Sequence, residues 1–201
     1  MKFCLWSLAL AVSLITVGCA ATSPLIQAAA NGDSKTVYKL IGEGAAINEA
    51  DRTGVTPLMH AVWTGNSETA KILINKGADI NIQDKDGHSA LTYAVIYSQY
   101  ELAEVLLKKG ANFKSKTKTS ETAIHYAASA CDIRMTQILI DNGADIDIKT
   151  KDSQTALHYA ADSCDGKLAD FLLSNNANST IKDAKGWTPL RHAIFSKNII
   201  R

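Results

Sequence analysis

A six-residue motif that returns every 33 residues constrains this chain more than any other feature of its sequence. TPLMHA begins at Thr56. Its related copies are SPLIQA, SALTYA, TAIHYA, TALHYA and TPLRHA, which begin at residues 23, 89, 122, 155 and 188. A fixed period of this length without slippage is the signature of a solenoid, in which each repeat packs only on its neighbours.

The residues between the motifs follow one plan in every repeat. From Thr56 the chain reads TPLMHAVWTGNSETAKILINKGADIN, which predicts a short helix, a Gly-Asn turn, a second helix and an extended exit. The period, the TPLHxA-like start and the GADIN-like exit resemble the ankyrin repeat. The resemblance implies an all-α solenoid of paired antiparallel helices with hairpin-type turns, about six repeats long, over residues 23–201. The last repeat is incomplete.

Each second helix presents an apolar stripe that a single repeat cannot bury, so stacking should form a continuous core. Left-handed residues are expected at the helix ends, with Gly77, Gly110 and Gly143 in that place and Asn176 as a substitute. At the hairpin tips Ser120 and Ser153 stand where other repeats have glycine, which predicts a different bend there. In repeat six the second helix is missing or only begun with Ile199 and Ile200. Either these residues fold with Phe195 over the open end, or something else covers it.

The N-terminus is predicted to lie outside the solenoid. Residues 1–18 combine Lys2 with an uncharged apolar run and resemble a bacterial lipoprotein signal, with Cys19 as the lipidated residue and residues 19–22 as a short tether. Three residues before the cysteine, where lipoprotein signals usually have leucine, this chain has Thr16. Three alternatives therefore stay open: an ordinary secretory signal cut near Ala20 or Ala21, an uncleaved anchor, and a cytosolic chain. The preferred interpretation places the protein in the bacterial periplasm, lipid-anchored at the outer membrane.

Charge gives little reason to expect a nucleic-acid partner. The chain has 21 basic and 20 acidic residues, and residues 1–18 contain only Lys2 of these, so residues 19–201 carry 20 of each sign. No basic stripe or polybasic segment stands out. The expected partner is therefore another protein, and any membrane contact is expected to come from the N-terminal lipid.

The ankyrin resemblance implies that the hairpin tips and the first helices form the contact surface. The predicted binding residues on the first helices are His60, Trp63, Tyr93, Tyr97, Tyr126, Tyr159 and Asp162. Those at the tips are Arg52, Lys85, His88, Lys118, Glu121, Lys151, Gln154 and Trp187. Exposed tyrosine and tryptophan are common anchors of protein interfaces. The alternative for Tyr93, Tyr126 and Tyr159 is packing between repeats, whereas partner contact is favoured for Trp63, Tyr97 and Trp187.

No catalytic or metal motif is apparent. Cys131 and Cys164 occupy the same place in adjacent repeats and are candidates for a disulfide. Packed helices lie about 8–10 Å apart, whereas a disulfide needs Cα atoms within about 7 Å, which weighs against the bridge. The ankyrin resemblance implies that His125 and His158 bond locally. Since no close zinc-ligand spacing is present, we expect no metal, no cofactor and no enzymatic activity.

Three functional hypotheses from different classes follow. The favoured one, implied by the resemblance to envelope-anchored ankyrin proteins that neutralise secreted effectors, is a non-enzymatic inhibitor of immunity type that binds a secreted effector such as a lipase toxin. The second is a periplasmic scaffold or adaptor for a resident envelope protein. The third is an enzyme or metal protein, which stoichiometric metal on purification would support.

Overall fold

The computed structural model describes residues 23–164 and 166–198, with side chains described as far as Ser196, and within these ranges the chain forms eleven helices. The first helices of the repeats are α1 (Pro24–Asn31), α3 (Pro57–Trp63), α5 (Ala90–Ile96), α7 (Ala123–Ser129), α9 (Ala156–Ser163) and α11 (Pro189–Asn198). The second helices are α2 (Ser34–Gly42), α4 (Ser67–Asn75), α6 (Tyr100–Lys108), α8 (Ile133–Asp141) and α10 (Lys167–Ser174). The predicted all-α repeat solenoid is confirmed.

Each first helix begins directly after the threonine or serine that opens the repeat motif. In repeats two and three, Thr56 and Ser89 accept the amide N–H of the residue three positions later, which satisfies a donor that the helix leaves unpaired. Proline follows Thr56 directly, where its missing N–H costs nothing. The motif therefore marks the start of each first helix by its capping chemistry.

The core is a single layer of apolar side chains that runs along the stack. First helices contact first helices of adjacent repeats, and second helices pack behind them. Leu58, Leu73, Leu91 and Leu106 are completely or almost completely buried, and alanines such as Ala94 let the helices approach closely. The core therefore depends on stacking, as the apolar stripes predicted.

The second helices end as predicted. Gly77, Gly110 and Gly143 adopt positive φ values of 91°, 88° and 88°, and Asn176 takes the same conformation at 66°. Glycine has no Cβ to clash in this region, and asparagine tolerates it better than most residues.

The prediction of a different bend at the serine tips is wrong. Ser120 and Ser153 have φ values of 62° and 59°, in the same left-handed region as Gly54 and Gly87. The turns keep the same backbone bond, such as the 2.8 Å bond from the Ser120 N–H to the Thr117 carbonyl. The bond network of the turn thus holds serine in a conformation that glycine adopts more easily.

Adjacent tips are also joined by backbone bonds. The second residue of each tip donates its N–H to the carbonyl of the preceding tip, as in Lys85 to Thr53 at 2.9 Å and Lys118 to Asp86 at 3.0 Å. Lys151 to Thr119 at 3.1 Å and Ala184 to Asp152 at 2.8 Å continue the row. The tips therefore form an ordered edge, although the described residues contain no extended sheet and one isolated bridge, Gln83 to Ser89.

Apolar side chains are exposed at the C-terminal end of the described stack. Leu190, Ile194 and Phe195 of α11 are 67%, 55% and 52% exposed, and Leu173 of α10 is 45% exposed. A groove of about 540 Å³ runs between α9, α10 and α11. Phe195 does not cover this end, and Ile199 and Ile200 lie outside the described residues.

The predicted signal segment (1–18) and the lipidation site Cys19 also lie outside the described residues. None of the helices in the described part of the chain is both long enough and apolar enough to cross a membrane.

Candidate protein-binding surface

The candidate surface is made by the exposed sides of the first helices and by the hairpin tips that precede them. Both elements recur in each repeat, so their side chains form columns along the stack. Among the described residues this surface has three regions. They are an aromatic cluster at the N-terminal side, a hydrogen-bonded centre and a second aromatic cluster at the C-terminal side.

The N-terminal aromatic cluster consists of His60, Trp63, Tyr93 and Tyr97. The centroid of the Trp63 ring lies 5.9 Å from that of His60 and 6.1 Å from those of Tyr93 and Tyr97, with interplanar angles between 22° and 29°. Trp63 and Tyr97 are each 43% exposed, and neighbouring Ile96 is 38% exposed. This is the largest exposed aromatic surface among the predicted binding residues, and its rings are held by mutual stacking.

Two aspartates hold the His60 and Tyr93 rings of this cluster in place. The Asp51 carboxylate lies 3.0 Å from Nε2 of His60, and the Tyr93 hydroxyl donates to Asp84 at 2.8 Å. Burial alone would raise the pKa of Asp51, but hydrogen bonds from Thr53, the Val55 amide and His60 lower it to about 2. Burial and the bond to Asp84 raise the pKa of Tyr93. Both aspartates are therefore ionised, and Tyr93 keeps its proton, at neutral pH.

Glu121 organises the centre of the surface. Its two carboxylate oxygens accept bonds from the hydroxyls of Tyr159 at 2.8 Å and Tyr126 at 3.2 Å. Burial would raise its pKa, but bonds from Thr119, Tyr159 and Tyr126 lower it. His88 extends the network, with Nε2 3.3 Å from the Tyr126 hydroxyl. The tyrosines predicted either to bind a partner or to pack between repeats are half-buried, with their hydroxyls bonded inside the protein.

The C-terminal aromatic cluster contains Trp187, His192 and Phe195. Trp187 lies 5.5 Å from the His192 ring and 5.2 Å from the Phe195 ring, and the Arg191 guanidinium lies 4.6 Å from the Trp187 centroid. His192 contacts Asp183 at 3.0 Å and Asp162 at 3.4 Å. Trp187 is half-buried in this cluster, whereas Asp162 remains exposed at its edge.

The remaining predicted tip residues fall into two groups. Arg52, Lys85, Lys118 and Lys151 are exposed along the edge of the tips, and Lys118 pairs with Asp86 at 3.1 Å. His88, Glu121 and Gln154 are half-buried and face the first helices. The structure thus brings the predicted residues to one surface but gives them different degrees of exposure.

Sequence reasoning missed the three aspartates that hold this surface together. Asp51, Asp84 and Asp183 each bond a ring nine residues later, on His60, Tyr93 and His192. An Asp-x8-His/Tyr spacing in repeats two, three and six was the available signal. In repeats four and five threonine replaces the aspartate, and Glu121 supplies the carboxylate instead.

His125 and His158 bond locally, as expected. Nδ1 of His125 accepts the Thr122 N–H at 3.1 Å, so its proton is on Nε2, which lies 3.0 Å from the Ile148 carbonyl. His158 repeats the arrangement with Thr155 at 3.2 Å and the Trp187 carbonyl at 3.1 Å. Neither ring nitrogen is available to a metal, and the described residues contain no group of three or more metal-ligating side chains.

The argument from helix spacing against the disulfide is wrong. Cys131 and Cys164 are bonded to one another, with their Cα atoms 5.6 Å apart. Both cysteines lie beyond the ends of α7 and α9, in the loops that join each first helix to its second helix. Loops approach more closely than helix axes, so the interaxial distance did not apply.

The stacked helix pairs, the tips joined edge to edge and the surface built from repeated columns define a helical-repeat solenoid of the protein-binding kind. The chain belongs to the ankyrin-repeat family, because the family described as ankyrin repeats (3 copies) matches residues 25–117 and 124–201. No curated protein sequence is significantly similar to the chain.

A solved structure adds a more specific likeness. The complex of the predatory endopeptidase Bd0816 from Bdellovibrio bacteriovorus with the immunity protein Bd3460 contains a chain that is 31% identical to this one, with a TM-score of 0.80. The similarity covers 89% of this chain and 94% of that chain, the ankyrin-like immunity protein of the complex.

Proposed function

We propose that this chain is a non-enzymatic immunity-type protein that binds and inhibits a secreted hydrolase at the bacterial envelope. The observation that carries the proposal is the 31% identity to the immunity protein of the endopeptidase complex, over almost the full length of both chains. Ankyrin repeats as a family support a protein-interaction role. Because the neighbour's partner is an endopeptidase, a peptidase is the first class of target to test, ahead of the lipase considered from sequence.

The surface suits a rigid inhibitor. The Asp84–Tyr93 and Glu121–Tyr159 bonds fix the columns of rings before any partner arrives. Every buried side-chain nitrogen and oxygen atom in the described part of the chain has a hydrogen-bond partner. Little side-chain ordering is then needed on binding, which favours affinity. Trp63 and Tyr97 provide exposed aromatic area for the partner to bury.

We also propose that Cys19 carries lipid and holds the solenoid on the periplasmic side of the outer membrane. The apolar run before Gly18-Cys19 supports this location. Metabolic labelling with a radioactive fatty acid should mark the wild-type chain and not the Cys19→Ser variant. Equal labelling of both would rule out Cys19 as the anchor.

The central experiment is affinity capture with residues 20–201 from the secreted fraction of the producing cells, followed by activity assays on what is captured. Recovery of a hydrolase that this chain inhibits at a one-to-one ratio would support the proposal. Recovery of a resident envelope protein whose activity is unchanged would favour the scaffold, and the inhibitor proposal would be dropped.

A further inference from the structure

The inner loops, which join the first and second helices of each repeat, are tied to one another along the stack. The Asn66 side chain donates to the Ala30 carbonyl of repeat one at 3.0 Å. In repeat four, Asp132 accepts a 2.9 Å bond from the Tyr100 hydroxyl of repeat three. Between repeats four and five the Cys131–Cys164 disulfide occupies the same row. A covalent bond thus stands in the row where repeats one and two, and repeats three and four, are joined by hydrogen bonds.

The loop that carries Cys164 departs from the repeat pattern. The tenth residue of each earlier repeat has a left-handed conformation, with φ values of 71°, 74°, 52° and 56° at Gly32, Gly65, Ser98 and Cys131. Cys164 is the tenth residue of repeat five, but it is extended, with φ −109° and ψ 164°. The left-handed residue is Gly166 instead, at φ 95°.

The displaced loop changes the helices beside it. Second helices of the earlier repeats begin at the twelfth residue, such as Ser67 and Ile133, whereas α10 begins at the thirteenth, Lys167. α10 ends at Ser174, the twentieth residue of its repeat, as α4 and α8 end at Asn75 and Asp141. Repeat five therefore stays in register, and only the loop at Cys164 and the first turn of α10 differ.

This loop also supports the C-terminal end of the solenoid. Cys164 and Gly166 line the apolar groove between α9, α10 and α11. Two residues before the cysteine, Asp162 lies 3.4 Å from Nδ1 of His192 and bonds Ser196 on α11. A change in the conformation of this loop would therefore alter both the lining of the groove and the contacts that hold α11.

We propose that the Cys131–Cys164 disulfide is a redox-controlled clamp that holds Cys164 out of the left-handed conformation of its equivalents in the other repeats. Cys131 is exposed, so the thiolate of an external dithiol can attack its sulfur. The S–S bond breaks, two electrons and two protons pass from the dithiol to the cysteines, and the dithiol becomes a disulfide. Cys164 then adopts the left-handed conformation of its equivalents, and α10 gains a residue at its start.

The test uses the full chain with Cys4 and Cys19 replaced by serine, so that only Cys131 and Cys164 react. Amide hydrogen exchange is measured with and without dithiothreitol. Reduction should change exchange of the described amides between Asp162 and Asp170 by about tenfold, with little change in repeats two and three. Reoxidation should restore the first pattern.

Two variants separate the clamp from general support of the fold. Cys131→Ser with Cys164→Ser should show the reduced pattern without dithiothreitol and should not respond to it. Cys131→Ser with Cys164→Gly should show the same pattern with greater stability, because glycine accepts the left-handed conformation more easily than serine. Identical exchange in the oxidised and reduced chains, or a change spread equally over all repeats, would overturn the proposal.

Discussion

Histidines at the start of α7 and α9 show how a single residue can fix both a helix end and a neighbouring loop. Nδ1 of His125 accepts the backbone N–H of Thr122, as glutamate or glutamine does in a capping box. Nε2 then reaches the Ile148 carbonyl in the exit of the same repeat. Because the ring is fully buried and bonded at both nitrogens, it acts as a structural brace.

Trp63 is expected to contribute binding energy more than fold stability. It is 43% exposed, and its ring stacks on three rings that belong to the same surface, those of His60, Tyr93 and Tyr97. Trp63→Ala should weaken binding to the captured hydrolase by about 30-fold or more, the usual effect at an aromatic hot spot. The free energy of unfolding should change by less than about 1 kcal/mol. Titration calorimetry and urea denaturation measure the two quantities.

Tyr38→Ala is the matched control for this change. Tyr38 is 57% exposed on α2, away from the tips, and lies 4.2 Å from the Lys76 amine. Its loss should leave binding unchanged. If Trp63→Ala destabilises the fold as strongly as it weakens binding, Trp63 is a packing residue and the proposed contact is wrong.

The period located the columns of this surface, but it did not determine what each side chain contacts. Residues five and eight positions into a repeat share a helix face, which placed Tyr93 and Trp63 on the predicted surface. The direction of a tyrosine hydroxyl depends on which carboxylate lies within reach, and that carboxylate moves from Asp84 in one repeat to Glu121 in the next. The carboxylates lie outside the six-residue motif, so the motif alone does not show this change, although the replacement of aspartate by threonine at positions 117 and 150 accompanies it.

At the scale of elements, two separate constraints favour glycine: a left-handed backbone conformation and the close approach of a neighbouring tip. Gly87 has φ 89°, and a Cβ there would lie 2.7 Å from Cα of Thr117 in the next tip. Gly77, at the end of α4, has φ 91° with no atom within 4 Å of its would-be Cβ. The first position is restricted by conformation and by close approach, the second by conformation alone.

Comparing Gly87→Ala with Gly77→Ala should separate these constraints. Gly77→Ala should lower the free energy of unfolding by about 1 kcal/mol, the cost of a left-handed alanine. Gly87→Ala should lower it by about 3 kcal/mol, because the backbone of the adjacent tip must also move. Chemical denaturation measures both, and equal losses would show that the tips separate easily.

The elements themselves could be predicted because the cap, the apolar stripe and the left-handed terminus recur in phase. The loop of repeat five could not, since its departure accompanies a bond between residues 33 positions apart. A bond of that kind depends on the approach of two loops, which local sequence does not specify. The conformation at Ser120 and Ser153 was missed for a related reason, because backbone bonds outweigh a modest preference for glycine.

For the whole molecule, the buried histidines predict a dependence of stability on pH. Burial lowers the pKa of His125 and of His158 below the ordinary 6.5, against smaller opposing effects of backbone hydrogen bonds. The unfolded chain therefore takes up these protons first as pH falls. The free energy of unfolding should be steady above pH 6.5 and decline below it.

Thermal melts between pH 8 and pH 5 would measure this decline. His125→Gln should reduce the slope because one titrating ring is removed, while an amide can still receive and donate hydrogen bonds. The carboxylates affect stability over a lower range of pH. Because the pKa of Asp51 is lowered to about 2, the free energy of unfolding should decline further as pH falls from 3.8 towards 2. A melting temperature that rises between pH 6.5 and pH 5 would contradict the assignment of neutral buried histidines.

The disulfide between repeats four and five also sets a limit on how far the protein can be stretched. Cys131 and Cys164 are 33 residues apart, so a pulling force on the two ends would bypass a segment that could otherwise extend by roughly 110 Å, at about 3.4 Å per residue. Repeats one to three can lengthen fully under load, whereas this segment cannot until its bond is reduced. Within the described part of the solenoid, this disulfide therefore sets a covalent limit to extension near the C-terminal end.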